Sequence, residues 1–295
     1  MACTDCYAGS HGARILNVNA SSIRTRPYTE HQQVNWTLFI GRASGWIVQD
    51  SYFKQDGPII HAANGGALGP DPSPCQMGFP FRTVFHLEEA TDGILQGNTF
   101  EMGCEGWSSF STRRVIIENN TFLTVQLQNV SEGGSITNAP AYPSTLHNAI
   151  LRNYDVQAKD AYYRYETFTS DGGVGGYSGR AVRSQGARVT LEQPLLNRPD
   201  AWWPLPSHSL DDNWAGAAMV VLGGRGAGDV VGISASKGNE LQLLKPPAVP
   251  LDSTSEITVV PYAGQTILAG NTWINGTSVD YYGVALELIF ADNTL

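Results

Sequence analysis

The chain has 295 residues, enough for one large domain or two modest ones, and 42% of them are hydrophobic, which supplies a packed interior. The net charge is -9, with 18 Lys and Arg against 27 Asp and Glu, and the cations are scattered except for the pair Arg113-Arg114. This excludes a nucleic-acid phosphate backbone as the partner, and no apolar run approaches the ~20 residues of a membrane-spanning helix.

Only 15% of residues are charged, and glycine is abundant at 32. Neutral polar turns and few helix formers between glycines point to a turn-rich, all-β protein. Residues 1–35 read as an irregular N-terminal segment. These residues show no charged start followed by a hydrophobic stretch, so a secretory signal is not among them, and the chain reads as a fragment. Cys3, Cys6, Cys75 and Cys104 allow three disulfide pairings. The Cys3–Cys6 spacing lacks a second pair or a following histidine, so ordinary disulfides or free thiols outrank zinc.

From residue 36 to 164 a short phrase recurs: apolar residues, a polar step, Asn or a small residue, then an aromatic. It runs Trp46-Ile47-Val48-Gln49-Asp50-Ser51-Tyr52-Phe53, Ile94-Leu95-Gln96-Gly97-Asn98-Thr99-Phe100 and Ile116-Ile117-Glu118-Asn119-Asn120-Thr121-Phe122. A looser copy is Ile150-Leu151-Arg152-Asn153-Tyr154. Asn98 and Asn120 are 22 residues apart, as are Asn271 and Asn293 near the end. Periods of this length signal stacked repeats, and these copies are strand-like. The expected unit is a strand, then a corner asparagine, then an aromatic that begins the next strand and faces inward. Stacked at ~4.8 Å, such asparagines form a ladder from coil to coil.

The phrase Ile-Ile-Glu-Asn-Asn-Thr-Phe at 116–122 resembles the coil signature of right-handed parallel β-helix proteins, the pectin-lyase-like superfamily. The resemblance covers roughly 36–155 and 262–295. It implies a right-handed single-stranded parallel β-helix and business with polysaccharide, outside the cell or on its surface. The superfamily spans lyases, glycoside hydrolases, epimerases and adhesins. Its best-known catalytic sets do not carry over. The chain has only Asp211-Asp212 and Ser10-His11-Gly12 toward a polygalacturonase set, and Trp46-Ile47 is followed by Val48-Gln49 rather than the Asp-His of pectate lyases.

Residues 165–262 lack the phrase. Strand candidates at 188–191, 218–222, 240–244 and 256–260, punctuated by Pro246, Pro247 and Pro250, predict a small inserted antiparallel β subdomain. Gly223–Gly228 lacks the Gly-Lys-Ser/Thr ending of a phosphate loop and reads as a tight strand connection. The coils resume over 263–295.

The densest polar run is 159–177, with three carboxylates, one Arg, one Lys and four Tyr. Aromatic faces and carboxylates together suit sugar rings and hydroxyls. Here Glu166 and Asp171 are the candidate acid and base or nucleophile, with Arg164 orienting the substrate. Lys159, Asp160, Tyr163, Tyr165 and Tyr177 are the candidate substrate-binding residues. A second group comprises Glu101, Glu105, Trp107, Arg113 and Arg114. With it, Asp50, Glu101 and Glu118 fall at similar places in their copies and read as solvated turn residues. No histidine pair has metal-ligand spacing. No cofactor is expected; calcium enters only as a bridge to an acidic glycan. Five Asn-x-Ser/Thr triplets, at Asn19, Asn35, Asn119, Asn129 and Asn275, are compatible with secretion. Glycosidic-bond cleavage, by hydrolysis or elimination, is the leading expectation. A non-catalytic carbohydrate-binding or adhesion module and a purely structural solenoid are the alternatives.

Overall fold

The computed structural model describes residues 11–23, 38–41, 43–56, 83–88, 90–101, 105–110, 112–123, 126–130, 145–156, 168–171, 176–195, 214–260, 262–276, 279–282 and 284–295. These form an all-β protein of three long parallel sheets and a small closed antiparallel barrel. No helix among them is long and apolar enough to cross a membrane.

The chain passes repeatedly through the same three sheets, and each passage is called a coil here. The first coil is β1 (Arg14–Leu16), β2 (Asn19–Ile23) and β3 (Leu38–Gly41); the second is β4 (Ile47–Gln49), β5 (Tyr52–Asp56) and β6 (Thr83–Glu88). The third is β7 (Thr91–Gln96), β8 (Thr99–Glu101) and β9 (Glu105–Phe110); the fourth is β10 (Arg113–Glu118), β11 (Thr121–Leu123) and β12 (Gln126–Val130). In the fifth, β13 (Thr145–Leu146) and β14 (Ala149–Leu151) share the first sheet, followed by β15 (Tyr154–Val156) and β16 (Phe168–Asp171). The first sheet contains β1, β4, β7, β10 and β14 in that order; the second contains β2, β5, β8, β11 and β15; the third contains β3, β6, β9, β12 and β16.

The barrel interrupts the stack between the third sheet of coil five and the first sheet of coil six. Its strands are β17 (Tyr177–Gln185), β18 (Arg188–Leu191), β19 (Ala218–Gly223), β20 (Val230–Lys237), β21 (Glu240–Leu243) and β22 (Glu256–Val260). They close in the order β17-β18-β21-β20-β19-β22. The fourth strand of the run β19-β20-β21-β22 returns beside the first, as in a Greek key. Gly223–Gly228 links β19 to β20, and the N–H of Gly228 donates to Val221 at 2.9 Å, so the run is a tight strand connection. The stack then resumes with β23 (Tyr262–Gly264), β24 (Ile267–Ala269), β25 (Thr272–Ile274) and β26 (Val279–Tyr282), and ends with β27 (Val284–Leu286) and β28 (Ile289–Ala291).

Two boundaries differ from the sequence expectation. The segment expected to be irregular up to residue 35 already contains β1 and β2, which pair with β4 and β5. Residues 168–171, expected inside the insertion, pair in parallel with β12 and belong to the third sheet. Neither strand set carries the Asn-aromatic phrase, which marks only the corner between the first and second sheets.

That corner is built from two in-register files. One holds residues at positive φ: Asn17, Asp50, Gly97, Asn119, Arg152, Gly270 and Asp292, with φ between 51° and 66°. After Asn17 the next residue is Val18, which is exposed at the end of the stack. In the other coils the left-handed turn is followed by Ser51, Asn98, Asn120, Asn153, Asn271 or Asn293, all buried except the half-buried Asn293 of the last coil. The Oδ1 of Asn120 accepts the N–H and the Nδ2–H of Asn98, both at 3.0 Å, and Asn120 Nδ2 donates to Leu95 O and to Asn153 Oδ1. The pattern repeats through Asn153 and Asn271 to Asn293. Asn98 and Asn120 thus occupy successive coils, as the 22-residue interval predicts.

A second positive-φ file marks the entry to the first sheet, through Gly12, Gly45, Asp92, Arg114, His147, Gln265 and Glu287. L-residues resist this conformation, which costs roughly 1–2 kcal/mol each. The stack holds it because neighbouring coils repeat the same turn. Inside, Phe53, Phe100 and Phe122 stack at 5.4 and 5.3 Å and form one cluster with Trp46, Leu95 and Ile117. The barrel has a separate core that includes Trp214, Met219, Val189 and Leu241.

Candidate functional site

Strand alternation sends Phe53, Phe100 and Phe122 into the stack, so the residue before each faces out. The outward file of the second sheet is Asn19, Tyr52, Thr99, Thr121, Tyr154 and Thr272, aligned by the parallel register. Tyr154 corrects the sequence expectation that the aromatic of each phrase faces inward. In coils three and four the aromatic stands two residues after the asparagine. In coil five it stands one residue after Asn153, and a shift of one residue reverses the face. Tyr154 is therefore 45% exposed, and Asp155 occupies the buried slot aligned with Phe122 and Trp273. Tyr52 is likewise outward, with Phe53 taking the interior place.

At the N-terminal end of this file lies a shallow depression of ≈ 380 Å³, lined by Asn17, Asn19, Asp50, Tyr52 and Thr99 among others. The Tyr52 hydroxyl donates to Glu101, whose carboxylate also pairs with Lys54 at 3.4 Å. These contacts fix the tyrosine ring at the edge of the depression. The Asp50 carboxylate lies over Gly97, where a Cβ would come within 2.6 Å of Oδ1. Glycine at 97 thus both accepts φ +66° and leaves room for the carboxylate.

The charges along this face are largely spent in pairs. Arg152 reaches Glu118, and Gln96 Nε2 donates to the same carboxylate at 3.4 Å. On the far side of the first sheet, Arg114 forms a two-point contact with Asp92, at 2.6 and 2.9 Å. The hydrogen bonds from Arg114 and then Thr91 hold the Asp92 carboxyl down at about 2. Asp50, Glu118 and Glu101 do not share one file: Asp50 is at the corner, Glu118 ends a strand of the first sheet, and Glu101 ends a strand of the second. Among the described residues no three His, Cys, Asp or Glu side chains gather to hold a metal ion.

Of the residues expected to form the site, Lys159, Asp160, Tyr163, Arg164, Tyr165 and Glu166 lie outside the described residues. The backbone of Asp171 ends β16 and pairs with Val130 and Tyr282 in the third sheet. Tyr177 opens the barrel, is 5% exposed, and donates its hydroxyl to Arg180 O at 2.7 Å. It packs in the barrel core, on a different body of structure from the strand that carries Asp171. The strip through Tyr52 and Tyr154 was missed because both tyrosines sit in the phrase itself. The readable signal was their place immediately after the corner residue, in Ser51-Tyr52 and Asn153-Tyr154.

The class defined by these features is an all-β protein of long parallel sheets with an inserted antiparallel barrel and a polar, aromatic outer strip. Comparison of the chain with protein-family models, with curated proteins and with solved structures finds no match.

Proposed function

We propose that the chain is a right-handed single-stranded parallel β-helix that binds polysaccharide on the outer face of its second sheet, outside the cell. The handedness follows from the strong right-handed preference of crossovers between parallel strands. The carrying observation is the outward file from Tyr52 to Tyr154, which adjoins the depression at Asp50. The exposed ring of Tyr154 and the partly buried ring of Tyr52 offer apolar surface to sugar rings, and the neighbouring Asn, Asp and Thr groups exchange hydrogen bonds with hydroxyls. The repeat resembles that of the pectin-lyase-like superfamily, and this supports both the helix and the carbohydrate class. The exposed sequon residue Asn275 is compatible with an extracellular setting.

Binding without turnover is the reading these residues favour. Glycosidic cleavage ordinarily uses two carboxylates, and of those at the depression among the described residues Glu101 is engaged by Tyr52 and Lys54, which leaves Asp50. A glycan-array screen followed by product analysis tests it. The expected result is retention of a polysaccharide class that Tyr52→Ala weakens, with no product formed. Release of product instead makes the protein an enzyme, and Glu166→Gln and Asp171→Asn then identify whether residues 159–177 supply the acid and base. Retention unaffected by Tyr52→Ala defeats the proposal.

A further inference from the structure

We infer that the glycan is a linear, uncharged chain of extended hexoses lying along the stack, clamped at its ends by Tyr52 and Tyr154. This rests on the polysaccharide reading and adds the direction, length and charge of the ligand.

The register fixes the geometry. Tyr52, Thr99, Thr121 and Tyr154 belong to four successive coils and lie in one outward file. Coils stacked at ~4.8 Å place the two tyrosines ~14 Å apart along the axis, three coils from one to the other. An extended β-1,4-linked hexose chain advances by about one coil spacing per residue. A four-residue segment therefore puts one terminal ring over each tyrosine and two inner rings over the hydroxyls of Thr99 and Thr121. A chain running across the sheet would meet one tyrosine only.

The repeat itself is broken where the second tyrosine appears. Coil five carries Tyr154-Asp155 where coils three and four carry Thr-Phe. The result is an exposed ring and a wholly buried carboxylate in a file of aromatics, against ordinary packing preference. Departures of this kind mark function where local rules are otherwise kept.

Charge decides the ligand class. Among the described residues, the cations bordering the strip are already paired: Lys54 with Glu101, and Arg152 with Glu118. Asp50 is exposed at the mouth of the depression and has no counter-ion among the described residues. A polyuronate brought here meets like charge, whereas an uncharged sugar meets ring faces and hydroxyls.

The test titrates the full chain with cello-oligosaccharides of two to six residues and with oligogalacturonides of the same lengths, by calorimetry. Affinity is expected to climb up to four residues and then level. Tyr154→Ala should weaken the tetramer roughly tenfold and leave the dimer unchanged, whereas Tyr52→Ala weakens both. The double variant Tyr154→Ala/Thr121→Tyr moves the platform one coil nearer, so the optimum should fall to three residues. Oligogalacturonides should bind more weakly at low salt, with or without calcium. Tyr154 is exposed, and an unchanged melting temperature confirms that its variant folds. Length-independent affinity, or tighter binding of the uronides, overturns this inference while a Tyr52→Ala defect keeps the glycan-binding reading intact. If neither tyrosine matters to any probe, both fall together.

Discussion

The interior of the coil stack carries a file of asparagines, whereas the barrel interior is an apolar cluster closed by antiparallel ladders. The difference follows from how each body pairs its backbone. Each coil must turn sharply between sheets, and the left-handed corner leaves the same N–H and C=O groups facing inward every time. A buried polar group without a partner costs ~1–3 kcal/mol, so the stack needs a side chain that both accepts and donates at every corner. Asparagine does both, as Asn120 shows with its bonds to Asn98, Leu95 and Asn153. The barrel closes its sheet on itself, and its few buried side-chain hydroxyls donate singly to backbone carbonyls rather than forming a file. There Tyr177 donates to Arg180 O, and Ser255 Oγ donates to Arg225 O at 2.7 Å.

Asn120→Ala tests this contrast most severely. It strands the N–H and Nδ2 of Asn98 and the carbonyl of Leu95, so a loss of about 3–5 kcal/mol is expected. Denaturant unfolding followed by hydrogen exchange should show the loss at amides of coils three to five, with barrel amides unchanged. Equal loss of protection in the barrel would mean that the two bodies unfold as one unit and that the contrast has no energetic content.

A smaller effect examines a device the two bodies share. Gly93 in the stack lies under Trp46, and Gly176 before β17 lies under Trp214; an added Cβ would come within 1.9 Å and 2.2 Å of the indoles. Both tryptophans are buried in their respective cores. Gly93→Ala and Gly176→Ala should each cost about 2–3 kcal/mol through overpacking. Each should depress only its own body, as read by exchange protection at Val115 and at Val189. A loss below about 0.5 kcal/mol at either site would mean that the indole moves aside freely.

The sequence made the corner between the first and second sheets legible and little else of the stack. Asn98, Asn120, Asn271 and Asn293 stand out because one side chain answers one recurring backbone deficit. The positive-φ file beside the first sheet did not stand out, because the stack enforces that conformation on Asp92, Arg114, His147, Gln265 and Glu287 alike. Tertiary repetition there overrides residue preference, so no common letter appears. The third sheet was equally silent, and β16 was assigned to the insertion for that reason. In the barrel, strands 188–191, 218–222, 240–244 and 256–260 were readable from short apolar runs bounded by turns, whereas β17 and β20 are diluted by Gly, Ser and Arg. The outer strip escaped because a pattern of aromatics does not state their face; only counting residues from the corner does.

The smallest expected effect separates surface charge in the two bodies. Asp92 and Arg114 lie on neighbouring coils with two short contacts, whereas Arg180 and Glu256 on the barrel approach only to 4.0 Å. All four side chains are about half exposed or more, so solvent screening limits even the better pair to roughly 0.5–1 kcal/mol. The Asp92 carboxyl is held down at about 2 by hydrogen bonds from Arg114 and Thr91. A carboxyl depressed in the folded state stabilises above its unfolded pKa of ~3.9, and that contribution drains away as pH falls through about 2. Asp92→Asn should therefore lower the urea midpoint slightly at pH 7, and the gap between the variant and the parent chain should narrow as pH falls toward 2. Glu256→Gln should shift the midpoint by less at either pH. A midpoint difference for Asp92→Asn that persists undiminished at pH 2 would assign the effect to packing at the corner, because about half of the carboxyls are by then protonated and the ion pair is correspondingly weakened.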